Sequence, residues 1–304
     1  MKAFGGYHPA VTFTYFISVL LTAMFVWNPV IQLTALLGGI MFSLMLVRKK
    51  AVLSDMGFYL PLFLLVAVTN PLFSHNGVTP LFFMNGNPVT LEAVVYGVFI
   101  SVMVVGVLFW CKCYNEIMTE DKFLYLFGRI IPKMSLVLSM ALRFVPMFKR
   151  QMKNVSRAQK AMGLYSQKSY VDRLRGGIRV FTAMISWSLE NSMELSSSMR
   201  ARGYGLHGRT NFSLFKFGVR DAAVLLSGLL LFAVVLIGVG SGSIDFTFYP
   251  ELGKISLSLK SLITYISFFI LSFLPFFIEV KENLKWKYYD CFLPVPAGNQ
   301  KDNL

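Results

Sequence analysis

The chain has 304 residues, of which 55% are apolar, 15% aromatic and only 14% charged, and its mean hydropathy is +0.60. A soluble domain carries about 25% charged residues, so the composition excludes that class and points to an all-α, polytopic membrane protein. The net charge is +14, and 19 Lys/Arg against 6 Asp/Glu fall between Lys112 and Arg220.

Spanning helices need about 20 mostly apolar residues. Six runs meet this in chain order: Val11 to Trp27, Pro29 to Val47, Met56 to Phe73, Leu91 to Trp110, Ala222 to Gly240, and Leu262 to Ile278. The first is too long for the core of a cleaved signal and has only Lys2 before it, so it is expected to remain as a span. Basic residues mark the cytoplasmic side. "RKK" at 48–50, the block 112–220 and "KENLKWK" near the C-terminus are all satisfied when both termini are cytoplasmic. The loop "NPLFSHNGVTPLFFMNGNPVT" carries no Lys, Arg, Asp or Glu, and its Asn, Gly and Pro pairs predict turns on the opposite side. Four parts follow: membrane helices in 1–111, a basic cytoplasmic region in 112–220, a transmembrane hairpin in 221–280 and a cytoplasmic tail in 281–304.

The basic region is too long for a structureless loop in a compact protein. "PKMSLVLSMALRFVPMFKRQMKNVSRAQKAMG" predicts one long helix, starting at Pro132, kinked at Pro146 and stopped by Gly163. "SYVDRLRGGIRVFTAMISWSLENSMELSSSMRARG" predicts a second such pair of elements, ending in arginine and Gly203. Ala183, Ser186, Ser188, Ser192 and Ser196 are small enough for close helix approach. The two stretches end alike: Lys160-Ala161-Met162-Gly163 before Leu164-Tyr165, and Arg200-Ala201-Arg202-Gly203 before Tyr204. The basic region is first a topology signal. It is also a platform for an acidic protein partner or for anionic lipid heads. Its alternation with apolar helix argues against nucleic acid.

Catalytic chemistry is sparse. No phosphate-binding G-x-x-x-x-G-K-[ST] loop occurs, so ATP hydrolysis is not expected of this chain. The six runs lack ionisable residues at their centres, unlike proton- and ion-coupled carriers. Glu92 lies at the mouth of the fourth, and Glu120-Asp121 predict a solvated turn. Cys111, Cys113 and Cys291 form no disulfide or zinc pattern, and His8, His75 and His207 are scattered, so no metal site is expected. A membrane enzyme acting on a lipid-linked substrate is the alternative suggested by the basic face, but no clustered carboxylates or metal ligands support it. A purely structural membrane protein assembled by small-residue packing is a third class.

"SLVLSMALRFVPMFKRQMKNVSRAQKAMG" (135–163) and "SMRARGYG" (198–205), with "YHPAVTFTYF" (7–16) and "NPLFSHNGVT" (70–79), carry a family resemblance. The chain resembles the T component (EcfT/CbiQ type) of energy-coupling factor transporters, ABC-type importers of vitamins and of cobalt or nickel ions. The resemblance implies an L-shaped helical scaffold. Its coupling helices would dock short x-Arg-x motifs on two ABC ATPases, which bind ATP and magnesium, and it would hold a substrate-binding S component in the bilayer. No cofactor is implied for the chain itself. Ala201-Arg202-Gly203 matches the docking motif. Ala161-Met162-Gly163 stands where the other is expected, with methionine in place of arginine; either Lys160 or Arg157 supplies the charge there or an apolar groove receives the thioether, and Arg200 is a further docking candidate beside the intact motif. Lys149, Arg150 and Lys153 also stand where relatives tend to be acidic. The unequal tips suggest two different ATPases.

An arginine tip has a physical rationale of its own. Guanidinium presents five donors in a planar fork matched to carboxylates or helix-end carbonyls. Small neighbours let backbones approach. The simpler role for Arg202 is a cation favoured by its own helix dipole, with Gly203 as the cap.

Overall fold

A computed structural model describes residues 3–47, 49–74, 77–84, 87–128, 131–163, 170–206 and 215–292. Among them the chain forms α1 (Pro9–Phe25), α2 (Pro29–Leu46), α3 (Lys49–Phe73), α4 (Leu91–Ile117), α5 (Glu120–Gly128), α6 (Pro132–Ala161), α7 (Tyr170–Ala201), α8 (Val219–Gly240) and α9 (Leu259–Phe292). The protein is therefore an all-α polytopic membrane protein. Three helices begin on proline, whose missing N–H costs nothing in a first turn. His8 Nδ1 accepts from Ala10 N at 3.2 Å, and Asn28 Oδ1 accepts from Val30 N at 3.0 Å. These side chains occupy the N-cap positions of α1 and α2. Helices α2, α4, α8 and α9 and the Val52–Phe73 part of α3 are long and apolar enough to cross a membrane. At 17 residues, α1 lies at the lower end of the spanning range.

Several elements differ from the sequence expectation. The charge-free loop holds an antiparallel hairpin, β1 (Pro80–Met84) with β2 (Asn87–Thr90). Its apolar residues run consecutively, so no period-2 pattern announced it. Helix α3 starts at Lys49, inside the basic cluster, and continues across Pro61 and Pro71. Helix α4 extends past Trp110 to Ile117. Residues 170–201 form one helix rather than a pair of elements. Pro146 lies within α6 and does not end it. Glu120 and Asp121 are exposed, in the first turn of α5. His75, Leu164, Tyr165, His207 and the side chain of Cys291 lie outside what is described.

The chain divides into two units, Met1–Lys122 with Phe215–Leu304, and Phe123–Leu214. The first is a packed bundle. Phe4, Phe16, Phe42, Trp110, Phe268 and Leu271 are fully buried in its core. Between apolar helices in lipid, packing and hydrogen bonds replace the hydrophobic drive, and both are present. Trp110 Nε1 donates to Ala35 O at 2.9 Å, and Tyr15 Oη to Leu271 O at 2.8 Å. Asn28 Nδ2 donates to Ile244 O and to Tyr265 Oη. On α2, a Cβ at position 39 would come within 3.2 Å of Phe109 Cβ and 3.3 Å of the Trp110 ring, so Gly39 lets α4 close in.

The N-terminal turn at Phe4–Gly6 is held from two sides. Glu279 on α9, 2% exposed, accepts from Ala3 N and Phe4 N, each at 3.0 Å. Lys122 Nζ donates to Gly5 O and, at 3.2 Å, to Ile117 O at the end of α4. Burial pushes the Lys122 ammonium below its ordinary pKa. In the second unit, Ser135 Oγ donates to Leu124 O at 3.2 Å, joining α6 to α5.

Candidate partner-docking site

The second unit presents the two helix ends singled out by the sequence. At the end of α6, Met162 N donates to Ala158 O at 3.1 Å, and Gly163 N donates to Lys160 O at 3.0 Å. Gly163 has φ +75°. At the end of α7, Arg202 N donates to Ser198 O at 3.2 Å and Gly203 N to Arg200 O at 3.0 Å. Tyr204 N then reaches back to Met199 O at 3.0 Å, and Gly203 has φ +80°. That pair of bonds around a left-handed glycine is the Schellman cap, and it satisfies carbonyls that the helix leaves open. Both helices thus end at a left-handed glycine, each preceded by an exposed side chain.

Ala161, Met162, Gly163, Ala201 and Arg202 are exposed, and Gly203 is half-buried. Met162 is 67% exposed, a large apolar side chain at the extremity of a basic helix. Lys160 and Arg200 are exposed two residues before Met162 and Arg202, and Arg157 is exposed five residues before Met162. Among the described residues no carboxylate pairs with Arg202, so its fork of donors remains available. The tip chemistry is asymmetric: one offers a thioether over two flanking cations, the other a guanidinium between small residues.

Helices α6 and α7 pack on each other, and Phe148 meets Trp187 edge-on with ring centres 5.3 Å apart. At about 1.5 Å per residue, Met162 lies about 21 Å along α6 beyond Phe148, and Arg202 about 22 Å along α7 beyond Trp187. The tips are therefore equally spaced from one aromatic contact. Sequence reasoning missed this contact; the matching distance from each aromatic to its tip was the available signal. Of the five small residues expected to allow close approach, Ala183 and Ser188 are half-buried beside Trp187, while Ser186, Ser192 and Ser196 are exposed. Gly176, Val180 and Met184 form the buried side of α7. Leu174, Ile178, Phe181, Ile185 and Leu189 form an exposed apolar stripe at three- and four-residue spacing, with Phe181 66% exposed.

Among the described residues no three His, Cys, Asp or Glu side chains gather as a metal site requires. Cys111 is half-buried and Cys113 buried, both as free thiols.

A family model described as cobalt transport protein (CbiQ) matches residues 8–214. Curated relatives named energy-coupling factor transporter transmembrane protein EcfT are also similar. The one from Bacillus selenitireducens is 34% identical over 106 residues, covering 34% of this chain and 40% of that protein. The Streptococcus thermophilus protein is 32% identical over 106 residues, 33% of this chain and 40% of its own length. The Listeria innocua protein is 30% identical over 99 residues, 32% of this chain and 37% of its own length. The matches thus span about two-fifths of the length of these relatives. The family model takes in the membrane helices from α1 to α4 and both tip-bearing helices, and the chain belongs to the CbiQ family of cobalt transport proteins.

Proposed function

We propose that the chain is the membrane coupling subunit of an ABC-type importer of the energy-coupling factor class. The observation that carries this reading is the pair of capped, exposed helix tips, equally spaced from the Phe148–Trp187 contact. In this reading the tips at 161–163 and 200–203 dock on two ABC ATPase subunits, which bind ATP and magnesium and carry out the hydrolysis. This chain supplies no catalysis. The apolar stripe of α7 receives a membrane S component that selects the cargo, a vitamin or a cobalt or nickel ion. The basic region and both termini face the cytoplasm. Because Met162 and Arg202 ask for different receiving surfaces, an apolar one and an acidic one, the two ATPases are different gene products.

Co-purification with tagged ATPases tests the docking. Truncating an arginine that anchors a buried contact costs about 2 kcal/mol or more, so Arg202→Ala is expected to weaken assembly about thirtyfold. Arg202→Lys is expected to recover only part, because lysine keeps the charge and loses the fork. Full recovery of the complex with Arg202→Ala would overturn the assignment. A single ATPase species in the purified complex would remove the heterodimer.

A further inference from the structure

The end of the membrane unit where α1 and α8 begin contains a cleft of about 680 Å3 that the docking reading leaves unused. Its walls include Tyr7 from the N-terminal segment, Arg220 and Asp221 from the first turn of α8, and Glu282 and Trp286 from α9. Its depth relative to a bilayer follows from helix lengths. Helix α8 has 22 residues, about 33 Å, against a hydrocarbon core of about 30 Å. Its first turn therefore lies at one edge of the core. Helix α9 covers about 40 Å between Leu259 and Trp286, close to the full bilayer with its headgroups. The cleft thus opens in the headgroup layer, the depth at which tryptophan rings are enriched.

Its charges are distributed unusually. Asp221 is occupied: Oδ1 accepts from His8 N and Oδ2 from Gly218 N, each at 2.9 Å. Among the described residues, Glu282 is paired through Oε1 alone, 3.3 Å from Lys285 Nζ. Arg220 has no ion pair among the described residues, although Glu282 lines the same cleft. The Tyr7 phenol is held above its ordinary pKa by burial first, then by Glu282 and Asp221, with Arg220 opposing. A cation and a carboxylate thus line one cavity with no ion pair between them, beside Trp286, a residue 51% exposed. A ligand complementary to this arrangement carries an anion and a cation a short link apart.

We propose that the cleft binds the phosphoethanolamine headgroup of a membrane phospholipid, its phosphate on Arg220 and its ammonium between Glu282 and the Trp286 ring. Guanidinium matches phosphate oxygens in a fork, and an ammonium is attracted to an indole face and to a carboxylate. The exposed apolar Val219 at the start of α8 continues the site toward the acyl chains.

The full chain in detergent micelles is titrated with dioctanoyl phosphatidylethanolamine, dioctanoyl phosphatidylglycerol and free phosphoethanolamine. Binding is read by tryptophan fluorescence, with Trp286→Phe as the background. Saturable binding of the ethanolamine lipid alone is expected, lost in signal with Trp286→Phe and about tenfold weaker in Arg220→Gln and in Glu282→Gln. Equal affinity for the glycerol lipid, or unchanged binding in both variants, would overturn the proposal. Free phosphoethanolamine binding as tightly as the lipid would overturn its membrane source. Native mass spectrometry of the unaltered protein gives a readout independent of the variants: ethanolamine lipid is expected to be retained over glycerol lipid, and the reverse order counts against the site.

Discussion

The two units use similar side chains for opposite ends. In the membrane unit, large apolar groups such as Trp110, Phe16 and Phe268 are fully buried, and buried Asn28, Gln32 and Glu279 have hydrogen-bond partners. In the Phe123–Leu214 unit, Val180 and Met184 are the buried apolar side chains among the described residues, while the stripe from Leu174 to Leu189 is open. The first unit has a packed aromatic core, and its outer apolar residues, such as Leu53, Phe73 and Ile237, are exposed on helices long and apolar enough to meet lipid. The second has few buried apolar side chains among the described residues and leaves an apolar face and two unlike helix tips exposed, an arrangement that suits contact with other chains.

That contrast can be broken at four points. The largest effect belongs to the membrane core. Trp110→Ala is expected to cost about 3–5 kcal/mol by opening a cavity and to free the Ala35 carbonyl as well, seen as a large drop in melting temperature by fluorescence-detected size exclusion. If Trp110→Ala melts with the unaltered protein, the bundle does not depend on this packing. Phe181→Ser is expected to leave the melting temperature of the isolated chain unchanged while weakening recovery of a membrane partner by about 2 kcal/mol, the scale of an aromatic anchor. A large melting shift with intact recovery would place Phe181 in the chain's own fold instead. Gly203→Ala forces a Cβ into the left-handed region and is expected to cost about 1–2 kcal/mol locally. Hydrogen exchange confined to the last turn of α7 would report it, and global loss of protection would contradict a purely local cap.

The smallest effect concerns acid. Burial, only partly offset by Asp221, lowers the His8 pKa, and its Nδ1 must be unprotonated to accept from Ala10 N. The unfolded chain therefore binds this proton more readily, and stability falls as the pH drops from about 6.5 through the folded-state pKa. Breaking the cap contributes about 1 kcal/mol to that loss. His8→Asn keeps the cap without titrating, so its melting temperature is expected to vary less between pH 7.5 and 5.5. Identical profiles for the two proteins would exclude the cap as the sensor.

Local signals in the sequence are direct where one residue dictates the backbone. Pro9, Pro29 and Pro132 mark helix starts, and Gly163 and Gly203 mark the two stops. Each of the six apolar runs falls within a helix, to within two residues at its ends, and five of those helices are long enough to span, because length and composition suffice for that reading. Long-range features were hidden. The Glu279 carboxylate grips Ala3 and Phe4 from far along the chain, and no local pattern indicates that. The β1–β2 hairpin escaped because its strand residues do not alternate. At the tips, the residues and their likeness were legible, whereas the aromatic contact from which both tips are equally spaced required the helices to be placed.

The glycine caps have a further consequence. Each tip is closed by backbone hydrogen bonds and a left-handed glycine, so its shape does not depend on the side chain just before that glycine. Methionine and arginine can therefore occupy the same kind of tip, differing for the helix behind it only by the small dipole term of a C-terminal cation. The shape of each tip is thus set apart from the side chain it displays: one substitution changes the chemistry offered while the backbone mount is preserved. The side chain at one tip can thus change without disturbing the backbone of the other, and Met162 and Arg202 stand on the same kind of glycine-capped end.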